Sequence, residues 1–140
     1  MRGLIQLAAG AALAALAGGC VRVDNGSAAP VPLACPAARA FTAFVNAMPG
    51  PGAVPTLIVS GEIDVPPGAT ARLVPGPTDR MMPPGQRFSV ELARAAPGAA
   101  TSGWQHVRSQ ISPALPAYRE VIVGCQGKTL ARIAPIERAY

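Results

Sequence analysis

Three cysteines, one histidine and an adjacent methionine pair are the most reactive side chains in this 140-residue sequence, and their spacing limits what each can do. Cys20, Cys35 and Cys125 form no CxxC, and His106 is the single histidine, so a four-ligand zinc site has no donor set. Met81-Met82 together with His106 offers the thioether and imidazole ligands that suit Cu(I), but methionines bracketed by Asp79-Arg80 and Pro83-Pro84 read more simply as a loop capping a core. Ser109 follows His106 at a spacing that points the two to opposite faces of a strand, and no GxSxG turn accompanies them. Glu62 and Asp64 share a strand face in the pattern of a solvated surface rather than an acid–base pair. The glycine-rich pieces are broken by proline and match neither GxxxxGK[ST] nor GxGxxG. These residues predict no catalytic group, no metal and no bound cofactor.

One cluster has the chemistry of contact. Trp104, His106 and Arg108 fall on one face of an alternating segment, opposite Val107, and aromatic residues with arginine are the types that dominate protein contacts. Trp104, His106 and Arg108 are therefore the expected partner-binding residues.

Cys20 closes a different pattern. Met1-Arg2 is followed by an apolar run from Leu4 to Ala17 and then by Gly18-Gly19-Cys20, a run too short and too rich in Ala and Gly for a transmembrane helix. The segment resembles a bacterial lipoprotein signal, with Leu16 one position earlier than the family pattern places it. The resemblance implies cleavage before Cys20, diacylglycerol on its sulfur and a fatty acid on its amine. Several acyl chains anchor far more firmly than one. Because Val21 rather than Asp follows the cysteine, the sorting rule of enteric lipoproteins implies the periplasmic face of the outer membrane.

The rest of the chain divides accordingly. Residues 1–19 read as signal peptide and residues 20–34 as a lipidated tether, since Asp24-Asn25-Gly26-Ser27, Pro30 and Pro32 are too polar and proline-broken to pack. Residues 35–140 read as a single domain. In an oxidising compartment Cys35 and Cys125 form an even pair with one connectivity, a disulfide closing a loop of about 90 residues and worth about 4 kcal/mol by chain entropy. Loss of the signal removes Arg2 and leaves a net charge of about +4. That mild excess favours polyanionic surfaces, but an exported chain with 4% aromatic residues is a poor nucleic-acid binder.

Phe41, Phe44, Val45 and Met48 lie at helical spacing between Pro36 and Pro49-Gly50, which predicts a short helix with Phe41 and Phe44 in the core. Beyond it, Pro and Gly punctuate the chain at intervals that suit strands. Leu57, Val59, Ile63 and Val65 alternate with Ser60, Glu62 and Asp64, and Phe88, Val90 and Leu92 with Ser89 and Glu91. Val107 and Ile111 alternate with His106, Arg108 and Gln110, while Val121 and Val123 share a face with Cys125. Gln126-Gly127 can turn a hairpin into Lys128 to Ile133. About six strands without a βαβ rhythm predict a mainly β fold, an antiparallel β-sandwich or small barrel with one short N-terminal helix.

The segments Phe44-Val45-Asn46-Ala47-Met48-Pro49-Gly50-Pro51-Gly52, Leu57-Ile58-Val59-Ser60-Gly61-Glu62 and Leu115-Pro116-Ala117-Tyr118-Arg119-Glu120 resemble those of small uncharacterised lipoproteins of the sphingomonad kind of alphaproteobacteria. That resemblance implies an envelope location and no particular activity. Val59-Ser60-Gly61-Glu62 with Pro66-Pro67-Gly68-Ala69 is similar to β-rich lipoproteins related to type III secretion pilotins. The lipoprotein lysozyme inhibitors share small size, β content and a disulfide, but their serine-glycine-rich recognition loop is not found here. The expected function is that of a non-catalytic envelope lipoprotein with a structural or binding role, held to the membrane by its lipid and contacting an envelope protein. The alternatives are a binding inhibitor of a periplasmic enzyme, working through loop 78–86 or 97–103, and an assembly factor for envelope or secretion machinery.

Overall fold

Period-two alternation governs most of the chain, and the computed structural model describes residues 34–99 and 102–140 as eight strands. These are β1 (Ala38–Asn46), β2 (Thr56–Val65), β3 (Ala69–Thr78), β4 (Gly85–Arg94), β5 (Gly103–Ile111), β6 (Glu120–Cys125), β7 (Lys128–Ile133) and β8 (Glu137–Ala139). They form two four-stranded sheets, β5-β2-β1-β8 and β3-β4-β6-β7. The segment expected to be a signal peptide, Cys20 and the expected tether up to Leu33 lie outside the described residues.

The apolar faces meet in one core. Leu57, Val59, Ile63 and Val107 of the first sheet join Leu73, Phe88, Val121 and Val123 of the second, with Phe88, Leu57, Ile63, Val59, Val121 and Val123 almost free of solvent. Each such side chain contributes about 1.5–3 kcal/mol relative to exposure. The result is a sandwich-like pair of sheets.

Two expectations are corrected. The sheets are mixed rather than antiparallel: β1 pairs parallel with β8, and β4 parallel with β6. The connections after β5 and β7 each cross from one sheet to the other, so β6 and β8 arrive beside a strand that runs their own way. Residues 38–46 also form strand β1, not a helix. Ala40 adopts φ 53° at a register shift between Arg39 and Thr42, inserting one residue into the ladder with β2. The insertion moves Phe41, Ala43 and Val45 onto the core face, because a one-residue slip exchanges the two faces of a strand. Phe44 then faces outward and is exposed, and Met48 lies beyond the strand in solvent. The bulge breaks the period of two and leaves apolar residues at a spacing that imitates a helix. Phe41 itself fills the space over Gly61, where a Cβ would stand 2.5 Å from the Phe41 ring.

β3 carries Pro75 and Pro77 and pairs with β4 alone, so prolines that cannot donate to a ladder sit on an edge. Its free edge is met by β5. The Gln105 side chain donates to the Ala71 carbonyl and accepts from the Ala71 N–H, both at 3.0 Å, joining the two sheet edges. Gln126 and Gly127 take φ values of 48° and 81°, the paired left-handed conformations of a tight hairpin between β6 and β7.

The register sorts the connections to two ends. The chain enters at residue 34 beside the β2–β3 and β6–β7 turns, where Cys35 is bonded to Cys125 with Cα atoms 5.8 Å apart. The opposite end gathers loops 47–55, 79–84 and 112–119 with the C-terminal segment. The described residues all belong to one compact unit.

Candidate functional site

The outer face of the first sheet is organised around β2, with β1 and β5 on either side. Register places Arg39 and His106 opposite Glu62, Trp104 opposite Asp64, and Thr42 and Arg108 opposite Ser60. Alternation along β5 sends Val107 into the core and leaves Trp104, His106 and Arg108 together outside, all exposed.

Trp104 is 42% exposed, and the Arg39 guanidinium carbon stands 3.8 Å from its ring centroid. Arg39 is held from its other side by Glu62, to which its Nε donates at 2.7 Å. An exposed cation–π contact contributes about 0.5–1 kcal/mol, and an exposed ion pair about 0–1 kcal/mol. Their larger effect is to fix the indole orientation across β2. The Gln105 bonds to Ala71 hold the intervening residue of β5, so Trp104 and His106 project from backbone anchored on both sides. The face presents an aromatic plane, an imidazole and, in Arg108, a guanidinium without a side-chain partner among the described residues.

Other sequence candidates are separated. Ser109 lies on the opposite face of β5 from His106. Met81 and Met82 stand in the β3–β4 loop of the second sheet, while His106 is on the first, so the three make no common ligand set. The methionine pair does not cap the core as expected: Met82 is 90% exposed and Met81 58%. The loop is pulled away from the core by its neighbours. Asp79 Oδ1 accepts the N–H groups of Gly85 at 2.9 Å and Met81 at 3.1 Å, closing the loop at its base and turning the tip outward. At the chain-entry end, a depression of about 560 Å³ is lined by Cys35, Asp64, Pro66 and Gly103 among others, with Asp64 its single ionisable side chain.

Sequence reasoning missed an ion network at the far end. Arg119 Nη2 donates to Asp79 at 2.7 Å and to Glu120 at 2.8 Å, and Glu120 also accepts from Arg132. The Asp79 carboxyl is held below its usual pKa chiefly by the Gly85 N–H, then by Met81 and Arg119, against partial desolvation. Glu120 is lowered chiefly by its bond from Arg119, against desolvation, with Arg132 adding to the effect. Gly85 makes room: a Cβ there would lie 2.8 Å from Asp79 Oδ2 and 3.3 Å from Arg119 Nη2. Asp79 ahead of a proline loop is a legible turn signal. Its pairing with Arg119 bridges 40 residues of sequence and is visible only in three dimensions.

Among the described residues no group of three His, Cys, Asp or Glu side chains could hold a metal ion. No family model, curated protein or solved structure matches this chain.

Proposed function

We propose that the chain is a non-catalytic envelope lipoprotein, anchored through acylated Cys20 on the periplasmic face of the outer membrane, whose β domain binds an envelope protein through Trp104, His106 and Arg108. The observation that carries the binding reading is the half-exposed indole of Trp104, stacked against Arg39 and fixed through Glu62 on an open sheet face. Such an aromatic loses little conformational freedom on contact, which is the property of residues that dominate interfaces. The lipid reading is supported by the run that ends in Gly18-Gly19-Cys20.

The test uses the lipidated full chain recovered from its own envelope with crosslinked neighbours, comparing wild type with the Trp104→Ala/Arg108→Ala double variant. The variant should fold and lose the partner that wild type retains. Equal recovery by both would remove the face from the binding reading. Cys20→Ser should abolish acyl labelling and release the protein from the membrane; unchanged labelling defeats the anchor.

A further inference from the structure

Exposed apolar side chains are unevenly distributed over the domain. Met48, Val54, Met81, Met82, Leu115 and Tyr140 all lie at the end opposite the chain's entry, and the other large exposed hydrophobics, Phe44 and Trp104, are on the outer face of the first sheet. The far-end connections are tied to one another: the Ala114 N–H donates to the Pro55 carbonyl, Arg119 to Pro84, and Ala47 to Ala139. Arg138 adds bonds to the Leu115 and Pro116 carbonyls. They form one cap, from which the 79–84 loop presents its two methionines.

We propose that this loop is a preformed docking element, which inserts Met81 and Met82 into an apolar cleft rimmed by carboxylates on a partner protein. Thioether side chains are polarisable and adapt to irregular apolar pockets. Asp79 and Arg119 already order the loop base, so binding spends little on immobilising it. Arg80 at the tip is exposed and has no side-chain partner among the described residues, while Asp79 and Glu120 are occupied by Arg119 and Arg132. The cleft that fits therefore carries negative charge at its rim. A second copy fits poorly, because a two-fold contact through this loop would bring Arg80 against Arg80. A bilayer is the other alternative occupant, and the vesicle arm of the test below separates it. Placing the partner in the periplasm rests on the anchored reading above.

Met81 and Met82 are their own probes. Hydrogen peroxide converts exposed methionine to sulfoxide, and mass spectrometry reads each site, with 60%-exposed Met48 of the same end as a neighbour outside the loop. The lipidated full chain is treated both in its isolated envelopes and purified in detergent. Oxidation of Met81 and Met82 should slow by about tenfold in envelopes, the value for a site occupied about nine-tenths of the time. Arg80→Glu should return the purified rate. Equal rates in the two preparations overturn the proposal, and protection that survives Arg80→Glu overturns the carboxylate rim. Protection that grows with the concentration of purified protein assigns the loop to a second copy, and protection by vesicles of extracted lipid assigns it to the bilayer; either result overturns the proposal. Fractionation reports the anchor separately. A chain found in the soluble fraction defeats the anchored reading, while the footprint is read on whichever fraction holds the protein.

Discussion

At the end where the chain enters, Cys35 is bonded to Cys125 and the adjoining turns are built from Pro66-Pro67-Gly68 and Gln126-Gly127. At the opposite end, loops 79–84 and 112–119 are held by Asp79, Arg119, Glu120 and Arg132 and by backbone bonds between loops. One end is closed covalently, the other by charge. The covalent closure constrains the unfolded chain and is indifferent to pH, whereas the ionic closure depends on carboxylates staying ionised. The difference extends to the surface. Among the described residues the turns of the entry end are built of small residues and prolines and carry no large exposed hydrophobic, while the braced end holds methionines in solvent over polar bonds at the loop base.

The largest test of this contrast is removal of the covalent pin. Cys35→Ala/Cys125→Ala should lower the unfolding free energy by about 4 kcal/mol in urea titrations, and the oxidised, denatured wild-type domain should titrate no free thiol from this pair. Two free thiols, or a loss below about 1 kcal/mol, would dissolve the covalent side of the comparison. Next in size is Gly85→Ala, whose Cβ would stand 2.8 Å from Asp79 Oδ2 and displace the carboxylate that braces the loop. Overpacking of this kind costs about 1–3 kcal/mol, and faster proteolysis should follow in loop 79–84 rather than at the entry end.

Acid separates the two ends more finely. Asp79 and Glu120 have folded-state pKa values below their ordinary ones, so their contribution is complete above the usual carboxylate range and is lost as pH falls through the lower folded values. In an NMR titration the Met81 and Gly85 amides should shift with a midpoint below the usual aspartate pKa, while the Gly127 amide stays still. Asp79→Asn should remove the shift. A midpoint at or above the usual aspartate value would break the assignment. The smallest effect is expected at the loop tip, where Met82→Ser should change stability by no more than about 0.5 kcal/mol because the residue is almost fully exposed. A larger loss would mean that the tip supports the fold.

Legibility followed locality. The strands β2, β4 and β5 are visible as alternation because one face is buried and the other wetter along most of their length, whereas β6 is buried on both faces and shows only in the shared period of Val121, Val123 and Cys125. The shared face of Trp104, His106 and Arg108 followed from the same period. β1 imitates a helix because one bulge residue at Ala40 breaks that period, and β3 is not legible because its prolines look like punctuation until the strand is known to be an edge. The exposure of Met81 and Met82 was misjudged because the Asp79 brace that turns them outward includes Arg119, a long way along the chain.

The sequence by itself determined the β class, the turns at 66–68 and 126–127 and which residues of each regular strand share a face, since these depend on neighbours one or two positions apart. Tertiary structure alone decided that the strands form two mixed sheets, that Gln105 of one sheet closes the edge of the other, and that Arg39 reaches across β2 to Trp104. It also decided that one end carries the apolar cap, because that asymmetry comes from loops distant in sequence being tied together in space.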